Sequence, residues 1–302
     1  MNMATTEEIL SRLSKLDLSS YPFTEVQELI RFLGKSCFLV FTLHYGKTLT
    51  RARLGCAYTQ ISELSYLPQN KNKECQRAST PNKTMFYGTL VPQAEQFIAT
   101  RAIAIGECSK LQRSGINTKG IEKITFGKWT VVKDINLVVV LDEEVYTDVS
   151  ENLLLIELKK TYSDFISTVD IGDNAKKIAN FFAKEFAKVD VKSDYDYFLS
   201  SMFTEIITNE YGYDGVMYPS VRTNGQWGFN VAIKPEIVDN NMILDTVLES
   251  TLYKNGDKSL LLDDKISGLS TWKFIDTPEL PQKEICNRLQ INDLTEISNS
   301  TI

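Results

Sequence analysis

Four polar stations interrupt otherwise apolar stretches of this chain, and they hold residue types that act on charged substrates. In "LTRARLG", Arg51 and Arg53 stand two residues apart on an expected strand, so both side chains point to one face. Such a pair is either a solvated edge or a phosphate clamp, since planar guanidinium groups meet phosphate oxygens two at a time. In "QRASTPNKTMFYG", Arg77 lies in a loop and Tyr87 ends the next short strand. A tyrosine there is either half-core or presents its ring to a flat partner. In "AIGECSKL", Glu107 follows an apolar helix. A carboxylate at a helix C-terminus opposes the dipole at a cost of about 0.3–1 kcal/mol, which favours a role other than stability. In "YDGVMYPSVR", the compact Gly215, Val216 and Met217 form a strand that Pro219 stops, because proline fixes φ and lacks a donor. Ser220 follows on a rigid turn, with Tyr218 and Arg222 beside it. That turn is either a plain strand ending or a platform of hydroxyl and backbone donors.

The elements that must position these residues are of both kinds. Residues 5–16 and 24–33 are expected as short helices, the second opened by Thr24 with Gln27 three residues on. Strands are expected within 36–54, and the polar, turn-rich 65–84 reads as a long loop. "MFYG" is a short strand. Residues 93–105 place Ala94, Phe97, Ile98, Ala102 and Ile105 near one face of a helix that Gly106 can cap. The β-branched 128–142 reads as a buried strand or strand pair. Two amphipathic helices follow, at 174–188 and 195–211, the latter with Leu199, Met202, Phe203, Ile206 and Ile207 on one stripe. "GFNVAIKP" alternates as a strand, and the tail from about 280 reads as a short helix with a polar end. This order predicts an α+β fold rather than a βαβ repeat. The expected organisation is an N-terminal helical segment (1–35), a main domain (36–272) and a C-terminal helix and tail (273–302).

Composition narrows the function classes. The chain has 302 residues, 43% of them hydrophobic and 24% charged, as a soluble globular protein does. A net charge of -6 disfavours a general nucleic-acid groove. The best apolar run, "CFLVFTL", falls well short of the roughly 18 residues that span a bilayer, so no membrane is expected. The start has no basic-then-apolar leader, and the cytoplasm is the expected location. Cys37, Cys56, Cys75, Cys108 and Cys286 form no C-x-x-C pair, which points to reduced thiols rather than zinc or disulfides. His44 is the single histidine, so neither a multi-histidine metal site nor a histidine triad is expected.

Taken in order, the stations resemble the RES domain, a family named for its arginine, glutamate and serine, in its longer form. The matching stretches are "TRARLG", "QRASTPNKTMFYGTL", "AIGECSKL", "YDGVMYPSVR" and "GFNVAIKPEIVD", within roughly residues 48–240. The resemblance implies an ADP-ribosyltransferase-like mixed sheet core with flanking helices. It also implies breakdown of NAD, by hydrolysis or phosphorolysis at the nicotinamide ribose, as in a bacterial toxin or defence effector. NAD is then a substrate and no cofactor or metal is required. The family arginine falls on Arg51, with Arg53 a close alternative, the loop arginine on Arg77, the tyrosine on Tyr87, the glutamate on Glu107 and the serine on Ser220. Where the family loop reads Gly-Arg-aromatic-Asn-Pro-Pro-Gly, this chain has "QRASTPNKT".

Cleavage of the bond from ribose to nicotinamide passes through an oxocarbenium-like state, as glycoside cleavage does. On the implied assignment, Arg51 and Arg77 clamp the pyrophosphate, Tyr87 and the Ser220 turn receive the nicotinamide, and Glu107 faces the developing positive charge. Arg53, Tyr218 and Arg222 are the further substrate-binding candidates. The implied partners are NAD, inorganic phosphate and a small inhibitory antitoxin. Two other readings share parts of the pattern: an ADP-ribosyltransferase that modifies a macromolecule, and a non-catalytic nucleotide-binding or interaction protein.

Overall fold

The computed structural model describes residues 4–34, 36–90, 97–141, 144–147, 151–170, 172–268 and 273–298, with only the main chain described at 97 and 98. Its first elements are α1 (Thr6–Lys15), α2 (Phe23–Phe32), β1 (Leu39–Leu43), β2 (Thr48–Leu54), β3 (Phe86–Leu90), α3 (Phe97–Cys108) and α4 (Lys110–Arg113). Then come β4 (Lys119–Val131), β5 (Ile135–Val139), α5 (Leu153–Ile166), α6 (Gly172–Phe186), α7 (Phe198–Asn209), β6 (Gly215–Pro219), β7 (Phe229–Ile233) and α8 (Pro235–Asn241). The chain closes with β8 (Met242–Asn255), β9 (Lys258–Ser267), β10 (Phe274–Asp276), α9 (Gln282–Leu289) and α10 (Thr295–Ser298). The fold is mixed α+β, as expected. It divides into two compact units: residues 1–45, 66–87 and 133–241, and residues 46–65, 88–132 and 242–302.

The first unit holds the strands β1-β5-β6-β7 in that order. β5 and β6 run parallel, while β1–β5 and β6–β7 are antiparallel, so this part of the sheet is mixed. Helices α6 and α7 bury the stripes read from the sequence, and the rings of Phe182 and Phe203 stack with centroids 4.1 Å apart. The N-terminal helices are not an appendage. Ile9 and Leu13 of α1 and Val26, Leu29 and Ile30 of α2 share one core cluster with Phe182, Phe203 and Val216. Glu8 and Thr5 close a capping box at the start of α1. Helix α2 begins at Phe23 behind Pro22, so Thr24 lies inside the helix and is not its cap. Proline fixes the entry torsion there and displaces the boundary by two residues from the side-chain cap that the spacing predicts.

The second unit is antiparallel throughout, in the order β3-β2-β4-β8-β9-β10, with β3 entering it at Gly88. Strands β8 and β9 meet in the two-residue turn Gly256–Asp257, where Gly256 takes φ 67, a conformation that glycine adopts without strain. Helix α3 packs Ala104 and Ile105 on Ile124, Phe126, Leu248 and Leu252. The C-terminal segment belongs to this unit, since α9 and α10 bury Ile285, Leu289 and Ile297 against Tyr253, Leu260 and Leu262. The units therefore do not follow the sequence boundaries at 35 and 273, because both terminal segments carry apolar stripes that close a core. Among the described residues, no helix is long and apolar enough to cross a membrane.

Gly215, which opens β6, is required by packing. A Cβ there would sit 2.0 Å from the Ala232 carbonyl oxygen, a main-chain atom of β7 that cannot swing aside. Gly215→Ala should lower stability by about 1–3 kcal/mol, the usual cost of overpacking. A urea midpoint equal to that of the parent would show that β6 and β7 part without penalty.

Candidate active site

The second unit holds Arg51, Arg53 and Glu107. On β2, Arg51 and Arg53 lie opposite Gly127 and Thr125 of β4, and both are half-buried. They alternate with Ala52, whose side chain packs with the cluster under α3. Strand alternation therefore directs both arginines to the face away from α3. Arg53 donates from Nη2 to the Ser65 carbonyl at 2.8 Å. Burial pulls its guanidinium below the ordinary range, against the opposing charges of Tyr58 and Glu63. Arg53 is thus tied to its own loop.

Glu107 lies inside α3, in its last turn, not beyond its end as the sequence suggests. Gly106 continues the helix and Cys108 closes it, so the carboxylate sits where the dipole is least favourable. The main chain around it is held from two sides. Arg113 donates from Nη1 to the carbonyls of Gly106, at 3.1 Å, and Glu107, at 2.7 Å. Ser109 caps α4 through Gln112 N at 2.9 Å and hydrogen-bonds Glu122 through the same hydroxyl. The buried Lys254 of β8 donates to the carbonyls of Leu111 (3.1 Å), Gln112 (3.3 Å) and Ser114 (2.6 Å), closing the far end of α4. Burial pushes the neighbouring Cys108 thiol up to about 12, with Glu122 acting in the same sense. The thiol is therefore neutral at physiological pH and no nucleophile.

The first unit holds the other five candidates. Arg77 is 8% exposed and directed inward. It donates from Nη1 to the Phe186 carbonyl, and from Nη2 to the Lys188 carbonyl at 3.0 Å and to Tyr197 Oη at 3.3 Å. Its guanidinium carbon lies 4.8 Å from the centroid of the Tyr197 ring. The expected phosphate clamp is thus replaced by a cap on the end of α6, because the unpaired carbonyls of a helix terminus take the same planar fork. Tyr87 packs against the core, and its hydroxyl accepts from Ala78 N at 3.1 Å and meets Ser79 Oγ at 2.8 Å. It pins the loop that follows Arg77.

Tyr218 corrects the sequence reading in the same way. It is 3% exposed and lies in the core, its ring centroid 5.0 Å from that of Phe186, rather than open to a substrate. Ser220 has no exposed surface. Its N–H donates to the Gly228 carbonyl at 3.3 Å, and its carbonyl accepts from Gly225 N at 2.9 Å. The loop above it turns through Asn224 and Gly225 at φ 50 and 73, and Asn152 holds it by donating to the Gly225 carbonyl at 2.9 Å. Arg222 alone of this group stands exposed.

The structure therefore brings together Arg77, Tyr87 and Tyr218 around one core, and places Glu107 on a helix that packs against the strand of Arg51 and Arg53. Sequence reasoning missed Arg113 and Lys254, which fix the Glu107 turn. A lysine inside an otherwise strand-like run, "STLYKN", was the available signal for Lys254. Among the described residues no cluster of side chains could hold a metal ion. No protein-family model matches the chain, and no curated protein matches it in sequence.

Removing Arg77 leaves the Phe186 and Lys188 carbonyls without that donor. Arg77→Ala should cost roughly 2–5 kcal/mol, since each buried acceptor left unmet costs about 1–3 kcal/mol. Arg77→Lys should recover only part, because a compact ammonium does not span both oxygens. Urea denaturation measures both, and an alanine variant as stable as the parent would refute the helix-end role.

Proposed function

We propose that the chain degrades NAD, using an ADP-ribosyltransferase-like sheet, and acts in the cytoplasm as a toxin or defence effector restrained by a small inhibitory protein. The bond from ribose C1′ to the nicotinamide nitrogen breaks, its electron pair neutralises the pyridinium, and water or phosphate bonds to C1′, a water nucleophile losing one proton to solvent. The observation that carries this reading is the setting of Glu107. A half-buried carboxylate stands against the dipole of α3, on main chain that Arg113 and Lys254 hold rigid. A fold seeking stability alone would put a cation there. A fixed anion suits an oxocarbenium-like centre, because its orientation is set before the charge develops.

In this reading Glu107 stabilises the ribosyl cation and Arg51 neutralises phosphate oxygens. Arg77, Tyr87 and Tyr218 support the first unit. The resemblance to the RES domain supplies the substrate class, and the stations that carry it are those quoted from the sequence.

Purified protein incubated with NAD should release free nicotinamide. Dependence of the rate on added phosphate separates phosphorolysis from hydrolysis, and label appearing on protein instead would make the chain a transferase. Glu107→Gln keeps the shape of the side chain and should lose about a hundredfold to a thousandfold in turnover. A parent protein that leaves NAD intact would overturn the reading, and a Glu107→Gln variant within about threefold of the parent would remove Glu107 from it.

A further inference from the structure

A cavity of about 190 Å³ opens within the first unit, between the loop 78–85, helix α7 and the start of α8. One wall is a polar stripe of α7: Ser201, Thr204, Glu205 and Thr208, at i, i+3, i+4 and i+7. The other face of this helix is core. The three hydroxyl residues are buried, and each hydroxyl proton is already given to a helix carbonyl. Ser201 donates to Phe198 O at 2.9 Å, Thr204 to Ser200 O at 3.0 Å and Thr208 to Thr204 O at 2.9 Å. A hydroxyl with its hydrogen engaged has lone pairs left, so Thr204 and Thr208 offer acceptors, whereas Ser201 also hydrogen-bonds Cys75. Glu205 adds a carboxylate, of which Oε2 accepts from Thr80 Oγ1 at 2.7 Å and Oε1 from Lys83 Nζ.

The remaining charges on the cavity are Lys83, Lys234 and Glu236, with Lys234 Nζ 3.4 Å from Glu236 Oε1. Each ammonium carries three donors and its glutamate takes one, which leaves donors for an anionic group. A plain anion would meet Glu205 and Glu236, and a plain cation would meet both lysines. A ligand with one charge of each sign satisfies both. At about 30 Å³ of liquid volume per water the space equals roughly six waters, the scale of a small polar molecule. We propose that this cavity binds a zwitterion of the α-amino-acid class, with its ammonium on Glu205 and the hydroxyl oxygens of α7 and its carboxylate on Lys83 and Lys234. The site is distinct from the residues assigned to NAD, and it stands or falls without them.

Calorimetry on the full chain, with each standard amino acid and with acetate and ethylamine as single-charge probes, tests it. At least one amino acid should bind in roughly the millimolar range or tighter, and neither single-charge probe should bind comparably. Glu205→Gln should weaken that binding at least about tenfold, or 1.4 kcal/mol. Thr204→Val, which keeps the shape and removes the oxygen, should weaken it in the same direction and replaces the first variant if that one fails to fold. No binding by any amino acid, equal binding of ethylamine or acetate, or undiminished binding by a folded variant would each overturn the proposal.

Discussion

A helix leaves its last carbonyls without partners, and in this protein long cationic side chains supply them from elsewhere in the chain. Arg77 reaches the end of α6 across 109 residues of sequence. Arg113 closes α3 from the next short helix, and Lys254 closes α4 from the end of a long strand. Each cation is a donor set placed at the negative end of a helix, so hydrogen bonding and dipole act together. Loop 76–84 in the first unit and the turn 106–114 in the second are fixed by these caps. The side chains on those loops inherit their positions from them.

The same constraint explains why the cations of this chain were ambiguous as a sequence. A guanidinium fork fits a phosphate and a pair of carbonyl oxygens equally well in shape. What separates the two is whether the surroundings provide unmet acceptors, and the sequence around Arg77 does not state that Phe186 and Lys188 will be there. Arg53, with its carbonyl partner at Ser65, is a second instance.

Periodic apolar patterns were the legible part of the fold. Helices α6 and α7 follow their stripes closely, and the mixed order of elements gave the α+β class. The long hairpin of β8 and β9 is hidden in the sequence, because Glu249, Ser250, Thr251, Asp263 and Asp264 break the apolar alternation with polar groups. Those groups find partners only after folding: Ser250 with Asp263 and Thr251 with Asp264. The turn signal was nonetheless present as Asn255-Gly256. Helix α5 is ambiguous in the sequence: its Leu155, Leu158, Tyr162 and Ile166 keep a helical period, but "NLLLIEL" also reads as a compact apolar run.

The candidate site holds residues whose types serve helix ends and core, and one whose charge opposes the helix it sits on. In "YDGVMYPSVR", Gly215 is demanded by the Ala232 carbonyl, Tyr218 by the core and Pro219 by the strand end, while Ser220 is buried and holds the loop 225–228 through main-chain bonds. A sequence needing only to fold would keep the first three types, so this stretch by itself says little about a ligand. Arg77 and Tyr87 have equally good packing reasons. Glu107 is different in kind. The end of α3 would gain from a cation at that position, yet the chain places an anion there and then fixes the main chain on both sides of it. Stability that is given up at a rigid position, while carbonyls nearby are carefully satisfied, is the pattern expected where a charge is kept for its effect on something bound. The weight of the functional reading therefore rests on that one carboxylate more than on the serine turn that first suggested it.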